Sequence, residues 1–306
     1  MHTLLRNFAT RTQRSYRSKV IMLRILFNAM QEVNGEYWYQ GDLFTGIGFF
    51  IDEENHVQGY QLNAGIIGDS YRPISQLTKT ELPQLNLTGA LSDYDLILHE
   101  DRLLTGIGYE FSDEFCIHEA YIQDGIVNSD AYWNANGLLL QLSLSSKSFG
   151  EIYEWYENGE RKSVDISTSS SFTGHLSYGE DGVLHYINSN RGFFDALDEI
   201  AKAAAHFPFK DRAGLLEQKY ANHVTLSGGD MNDKNLATFM HSECFRHVES
   251  LKLLETKAAH IDLSVLSELK EVHVVSRDSV QIDFAKNLKI KNPRLTIKFN
   301  GGEILV

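Results

Sequence analysis

His241, Cys244 and His247 stand at i, i+3 and i+6, and three soft ligands so close together invite a metal reading. On a helix the outer two would point about 240° apart, and a fourth ligand is lacking. The expectation is therefore no metal, with Cys244 in the core and the histidines at a helix end. The polar run 228–235, GGDMNDKN, suggests calcium, but the sixth residue from Asp230 is Asn235, where an EF-hand loop needs glycine. Its Asp and Asn residues read instead as a turn and a cap for the following helix. Carboxylates cluster at Asp52, Glu53 and Glu54, and again at Asp113 and Glu114. A catalytic pair is needed once, so this recurrence favours solvated turns. No phosphate-binding loop, HExxH, dinucleotide fingerprint or nucleophile elbow occurs, the stretch 174–179 having the wrong spacing for the last. These residues point to no catalytic centre, no cofactor and no enzyme.

The elements that carry such residues begin with an internal repeat. Residues 43–67 align without a gap to residues 103–127, an offset of 60. Leu43, Thr45, Gly46, Ile47, Gly48, Glu54, Gly65 and Ile66 recur as Leu103, Thr105, Gly106, Ile107, Gly108, Glu114, Gly125 and Ile126. Farther on, Asn158-Gly159 and Asp181-Gly182 read as primed hairpin turns, and Phe172-Thr173-Gly174 echoes Phe44-Thr45-Gly46. Residues 33–188 thus read as a run of antiparallel hairpins sharing one elongated core, with the recurrent glycines serving turns or close packing. Met22 opens a strand, MLRILFNAM.

The period then changes. Phe193, Phe194, Leu197, Ile200, Ala201 and Ala204 follow helical spacing, with Asn190 as cap and Pro208 beyond the end, and a second short helix is expected over 213–220. After it, strand-like triplets recur at Val224-Thr225-Leu226, Leu251-Lys252-Leu253, Val272-His273-Val274 and Leu295-Thr296-Ile297, spaced 27, 21 and 23 residues apart. Helix-compatible segments separate the earlier triplets, one holding Leu236, Phe239 and Met240, the next Ile261, Val265, Leu266 and Leu269. Because side chains alternate along a strand, the residues between the apolar ones share one open face. Those are Thr225, Ser227, Ser250, Lys252, Leu254, Glu271, His273, Val275, Arg294, Thr296 and Lys298. Ser250, Lys252, Leu254, Glu271, His273, Val275, Thr296 and Lys298 are the expected partner-binding residues, with Leu254, His273 and Val275 as anchors.

The β region resembles MORN-like repeats of the YwqK antitoxin type. The residues that carry the likeness are Tyr39-Gln40-Gly41 leading into 44–49, then 104–109, 153–159 and 172–174. The tail is similar to leucine-rich repeats, Val248-x-x-Leu251-x-Leu253 and Leu269-x-x-Val272-x-Val274 matching the apolar positions of that unit. The resemblance implies an α+β chain with a MORN-like hairpin region over 22–188, a helical connector over 189–221 and a short, irregular solenoid over 222–306. It also implies a protein-binding function, that of an immunity or antitoxin protein holding a cognate toxin or effector. The alternatives are a glycan-binding or glycan-processing β protein, to which exposed Trp38, Trp133 or Trp155 would point, and a structural subunit of a larger assembly.

Composition sets the remaining bounds. A net charge of −13 repels phosphate backbones and anionic bilayers and attracts a basic protein. Cys116 and Cys244 are far apart, so no disulfide framework is implied and a cytoplasmic location fits. No apolar run reaches the roughly 20 residues of a membrane span. Residues 1–21 hold five basic and no acidic side chains, and read as a disordered tail or a start assigned too early rather than a targeting segment.

Overall fold

A computed structural model describes residues 22–75, 81–89, 96–145, 149–168, 171–202 and 212–305; the basic leader over 1–21 lies outside them. The chain is mainly β, with four α-helices among the described residues and both parallel and antiparallel strand pairs, an α+β composition. Its contacts form two compact units, one built chiefly on residues 22–145 and the other on residues 160–306.

In the first unit the strands are β1 (Leu23–Leu26), β2 (Gln31–Val33), β3 (Glu36–Tyr39), β4 (Asp42–Leu43), β5 (Gly46–Ile51), β6 (Val57–Asn63) and β7 (Ile66–Ser70). There follow β8 (Gln84–Asn86), β9 (Leu98–His99), β10 (Arg102–Leu103), β11 (Gly106–Ser112), β12 (Phe115–Gln123), β13 (Ile126–Trp133) and β14 (Leu139–Ser145). Hairpins β5–β6–β7 and β11–β12–β13 are antiparallel, as the repeat leads one to expect. The array is not purely antiparallel, however: β1 runs parallel to β5 and β8 runs parallel to β11. The repeat extends to these added strands, since Ile25 faces Gly48 and Leu85 faces Gly108, each pair 60 residues from the other.

Each added strand also reaches the opposite copy. Ile25 pairs with Phe115 of β12, and Leu85 bridges His56 at the start of β6. The pairings therefore close a ring, β5–β1–β12–β11–β8–β6 and back to β5, in place of an open run of hairpins. The ring gathers Ile47, Phe49, Val57, Tyr71, Ile107, Tyr109, Phe111, Cys116 and Tyr121 in one core. Two smaller clusters lie behind it, Ile25, Met30, Phe44 and Leu62 in the first copy and Leu85, Ile97, Leu104, Ala120 and Ile122 in the second.

The recurrent glycine that opens each ring strand serves close approach, not a turn. A Cβ on Gly46 would stand 2.4 Å from the Leu23 carbonyl oxygen, and one on Gly106 2.7 Å from that of Pro83. The parallel strand presses on the glycine in both copies.

A strand β15 (Phe149–Trp155) follows, and the second unit then contains β16 (Arg161–Thr168), β17 (Ser171–Tyr178), β18 (Leu184–Ser189), α1 (Phe193–Lys202) and α2 (Arg212–Leu216). It continues through β19 (Tyr220–Ser227), α3 (Asp233–Met240), β20 (Ser250–Leu254), β21 (Glu271–Val275), α4 (Val280–Lys291), β22 (Thr296–Phe299) and β23 (Gly302–Glu303). Strands β16–β18 form an antiparallel meander, β18 through β22 run parallel, and β23 turns back on β22. The boundary expected at residue 188 falls inside this unit, because β18 pairs with β19.

Local expectations fared unevenly. Asn232 caps α3, accepting from the Asn235 amide at 3.1 Å. The start of α1 is capped not by Asn190 but by Asp230, whose carboxylate accepts from the Gly192 and Phe193 amides at 2.9 and 3.0 Å. At Asp181-Gly182 only the glycine takes a positive φ, so that turn is not primed; a register shift between Ser177 and Tyr178 absorbs the difference. The segment holding Ile261, Val265, Leu266 and Leu269 forms no helix. Leu266 and Leu269 donate three residues back, to Leu263 and Leu266, and this chain of short turns buries Leu263, Leu266 and Leu269. Conversely, the spacing gave no sign of α4, which buries Gln281, Phe284, Ala285 and Leu288 between β21 and β22.

Candidate functional site: the face of the parallel ladder

The ladder's buried side comes from its apolar rows. Val224, Leu251, Val272 and Ile297 are in register, as are Leu226, Leu253, Val274 and Phe299. Strands β20 and β21 alternate half-buried or exposed with buried residues along their length, so the intervening side chains emerge on the opposite face. There Thr225, Lys252, His273 and Lys298 form one row, with His223, Ser250, Glu271 and Thr296 beside it and Ser227, Leu254 and Val275 beyond. All eight expected partner-binding residues lie on this face. Thr296 pairs with Glu271 and Lys298 with His273, a two-residue slip from the triplet spacing that leaves the face unchanged because the strand period is two. Arg294 precedes β22, outside the strand rows, and donates to the Leu266 carbonyl at 3.4 Å.

Glu271 is the hub. It accepts from the Ser250 hydroxyl at 2.9 Å, stands 2.9 Å from His273 Nε2 and receives Lys298 Nζ at 3.2 Å. His273, then Ser250 and Lys298, hold its carboxyl down to about 2 against the burial that opposes them. Ser250 and His273 both turn to the carboxylate, so the serine–histidine bond that would activate a nucleophile is not formed. Lys252, exposed between Thr225 and His273, has no carboxylate partner among the described residues. Among the described residues, the face offers Lys252 as a cation without a carboxylate partner, a fixed polar cluster and two aliphatic side chains, Leu254 and Val275.

The register carries this face onto the meander, which the repeat reading did not reach. Asn188 pairs with Ser227 and Tyr186 with Thr225, while His175 pairs with Asn188 and Asp165 with His175. His175 Nδ1 lies 2.7 Å from Asp165 Oδ1, and its ring is 5.9 Å from that of Tyr186. Cross-strand pairing is the only signal that joins these residues to Lys252 and His273, because they are up to about a hundred positions away in the chain.

The other candidates resolve as follows. His241 is exposed at the end of α3, Cys244 is half-buried rather than in the core, and His247 bonds the Tyr220 carbonyl; the three do not converge. Asp52, Glu54 and His56 do bring ligand atoms within 4.8 Å of one another, but Asp52 Oδ1 is used by the Glu54 and His56 amides of its own turn. The second copy places Ser112, Glu114 and Cys116 there. Trp133 is buried, and Trp38 and Trp155 are half-buried.

One charge pair of the first unit is sealed. Arg24 donates to Tyr71 at 2.9 Å and to Glu119 at 2.8 Å, and Tyr71 donates to Glu119 at 2.9 Å. The guanidinium carbon lies 3.7 Å from the centre of the Trp133 ring. Burial opposes the charge on Arg24, but Tyr71, Cys116 and Glu119 outweigh it and push its pKa up. Burial also pushes the neighbouring Cys116 thiol up to about 11, leaving it protonated and unreactive at neutral pH.

No helix among the described residues is long and apolar enough to cross a membrane. Set against known protein families, curated proteins and solved structures, the chain matches none.

Proposed function

We propose that the protein is a non-catalytic, cytoplasmic binding scaffold that neutralises a cognate protein, in the manner of an immunity or antitoxin protein. In this reading the first unit is a closed variant of a MORN-like array and the ladder a short leucine-rich-repeat-like solenoid. One observation carries it: the ladder face aligns Lys252, without a carboxylate partner among the described residues, beside half-buried Leu254 and Val275, while Ser250, His273 and Lys298 are gathered on Glu271. Desolvatable aliphatic groups next to a free cation suit a protein partner with an acidic or carbonyl-rich contact patch. The net charge of −13 then acts at long range, speeding encounter with a basic partner rather than making the contact.

The test uses the protein encoded immediately upstream, purified and titrated calorimetrically into this one. Binding that disappears in the Leu254→Asp, His273→Asp, Val275→Asp triple variant, with the unfolding transition retained, supports the reading. Unchanged affinity in that variant moves the contact off the ladder.

A further inference from the structure

The two copies differ at one edge. In the second copy β13 is flanked on both sides, by β12 and by β14, whose pairing runs from Ser129–Leu144 to Trp133–Leu139. In the first copy β7 pairs with β6 alone, and among the described residues nothing pairs with its outer side. Exposure records the difference: Ser129 and Asp130 are 1% and 7% exposed, while their counterparts Asp69 and Ser70 are exposed along with the whole of β7. Ile67 is 41% exposed on the same strand, where its counterpart Val127 is half-buried.

The cause is local. The second copy turns at 134–137, where the Asn134 side chain accepts from the Asn136 and Leu138 amides and returns the chain as β14. The position equivalent to Trp133 is Pro73, and among the described residues the next strand is β8.

We propose that the free edge of β7 receives an extended segment of a protein partner, antiparallel, with apolar residues at alternate positions. The occupied state is visible in the same molecule, because β14, of sequence LLQLSLS, sits on the equivalent edge and buries Leu142 and Leu144. The hydrogen-bonding frame is present in both copies. Tyr71 donates to Gly59 at 2.7 Å, which points the Ser70 amide and carbonyl away from β6, as the Asp130 groups point away from β12 toward Ser143. The same register shift precedes each, between Tyr60 and Leu62 and between Tyr121 and Ile122. Main-chain bonds to Ser70 hold the incoming strand, as Asp130 pairs with Ser143 in the other copy, and its alternate apolar side chains take the places that Leu142 and Leu144 occupy there. This edge belongs to the first unit and the ladder face to the second.

The probe is a synthetic peptide of residues 137–146, fluorescently labelled and titrated into the full-length protein by anisotropy. Ser70→Pro removes the outward amide without touching the β6 ladder, whereas Ser70→Ala keeps it. The expected result is binding by the wild type and Ser70→Ala and loss by Ser70→Pro, with hydrogen-exchange protection of the Ser70 amide of the wild type on adding peptide. That protection tests the edge even where Ser70→Pro does not fold. No binding at the solubility limit of the peptide overturns the proposal. So does protection confined to β13, which would mean exchange with β14, or a dimer in light scattering that Ser70→Pro abolishes, which would make a second copy the occupant.

Discussion

The first unit and the ladder handle similar ion pairs in opposite ways. Arg24 and Glu119 are 3% and 0% exposed inside the ring, whereas Glu271 and Lys298 are about 30% exposed on a sheet face. A buried pair is costly to desolvate and strongly destabilising to break, while an exposed one is screened and contributes little. The first pair therefore determines how the two copies close on each other. The second shapes a surface without being needed for its stability.

Breaking the buried pair has the largest expected effect. Glu119→Gln strands the Arg24 charge and is expected to cost about 3–5 kcal/mol in denaturant unfolding. The double variant Arg24→Met, Glu119→Leu is expected to recover much of that loss, because it leaves no orphaned charge. A cost below about 1 kcal/mol for Glu119→Gln would place the pair with the surface pairs and remove the contrast.

Closure of the ring is tested next. Gly46→Ala drives a Cβ against the Leu23 carbonyl and is expected to cost about 1–3 kcal/mol, and Gly106→Ala, against Pro83, a similar amount. A neutral result at both would show that the parallel strands do not press on the hairpins.

On the ladder, Glu271→Gln is expected to cost no more than about 1 kcal/mol, while freeing His273 and Lys298 for a partner. The smallest effect is that of pH. Because the folded carboxyl of Glu271 lies near 2 against a usual 4.5, its contribution is complete above about 4.5 and is lost as pH falls through about 2. Screening at this exposure limits it to about 1 kcal/mol, read as the difference between wild type and Glu271→Gln in acid unfolding.

The copies also differ in how they fill the same frame. Opposite one another stand Gly59 and Tyr71 in the first and Glu119 and Ala131 in the second, so the large residue changes strand between copies. Tyr71 and Glu119 can then meet in the shared core, with Arg24 between them where the second copy has Gln84.

Much of this was legible in the chain alone. The offset of 60 placed the hairpins, and alternation in 250–254 and 271–275 placed the binding candidates on one face, because both follow from local periodicity. Asn232 announced the cap of α3, since that cap needs only neighbours a few residues away, whereas the cap that Asp230 gives α1 is 38 positions away in the chain. Tertiary structure alone decided the rest. Ring closure depends on Ile25 meeting Phe115 and Leu85 meeting His56, and the Arg24 cluster joins residues up to 109 positions apart. Local pattern carries no record of such partners. The segment of 261–269 was expected to be helical and forms turns, while α4 was not foreseen, because apolar spacing shows that a segment is covered on one side, not whether it coils to achieve that. The free edge of β7 was hidden for the same reason: its residues resemble those of β13, and whether a strand returns beside them is decided by the chain that follows.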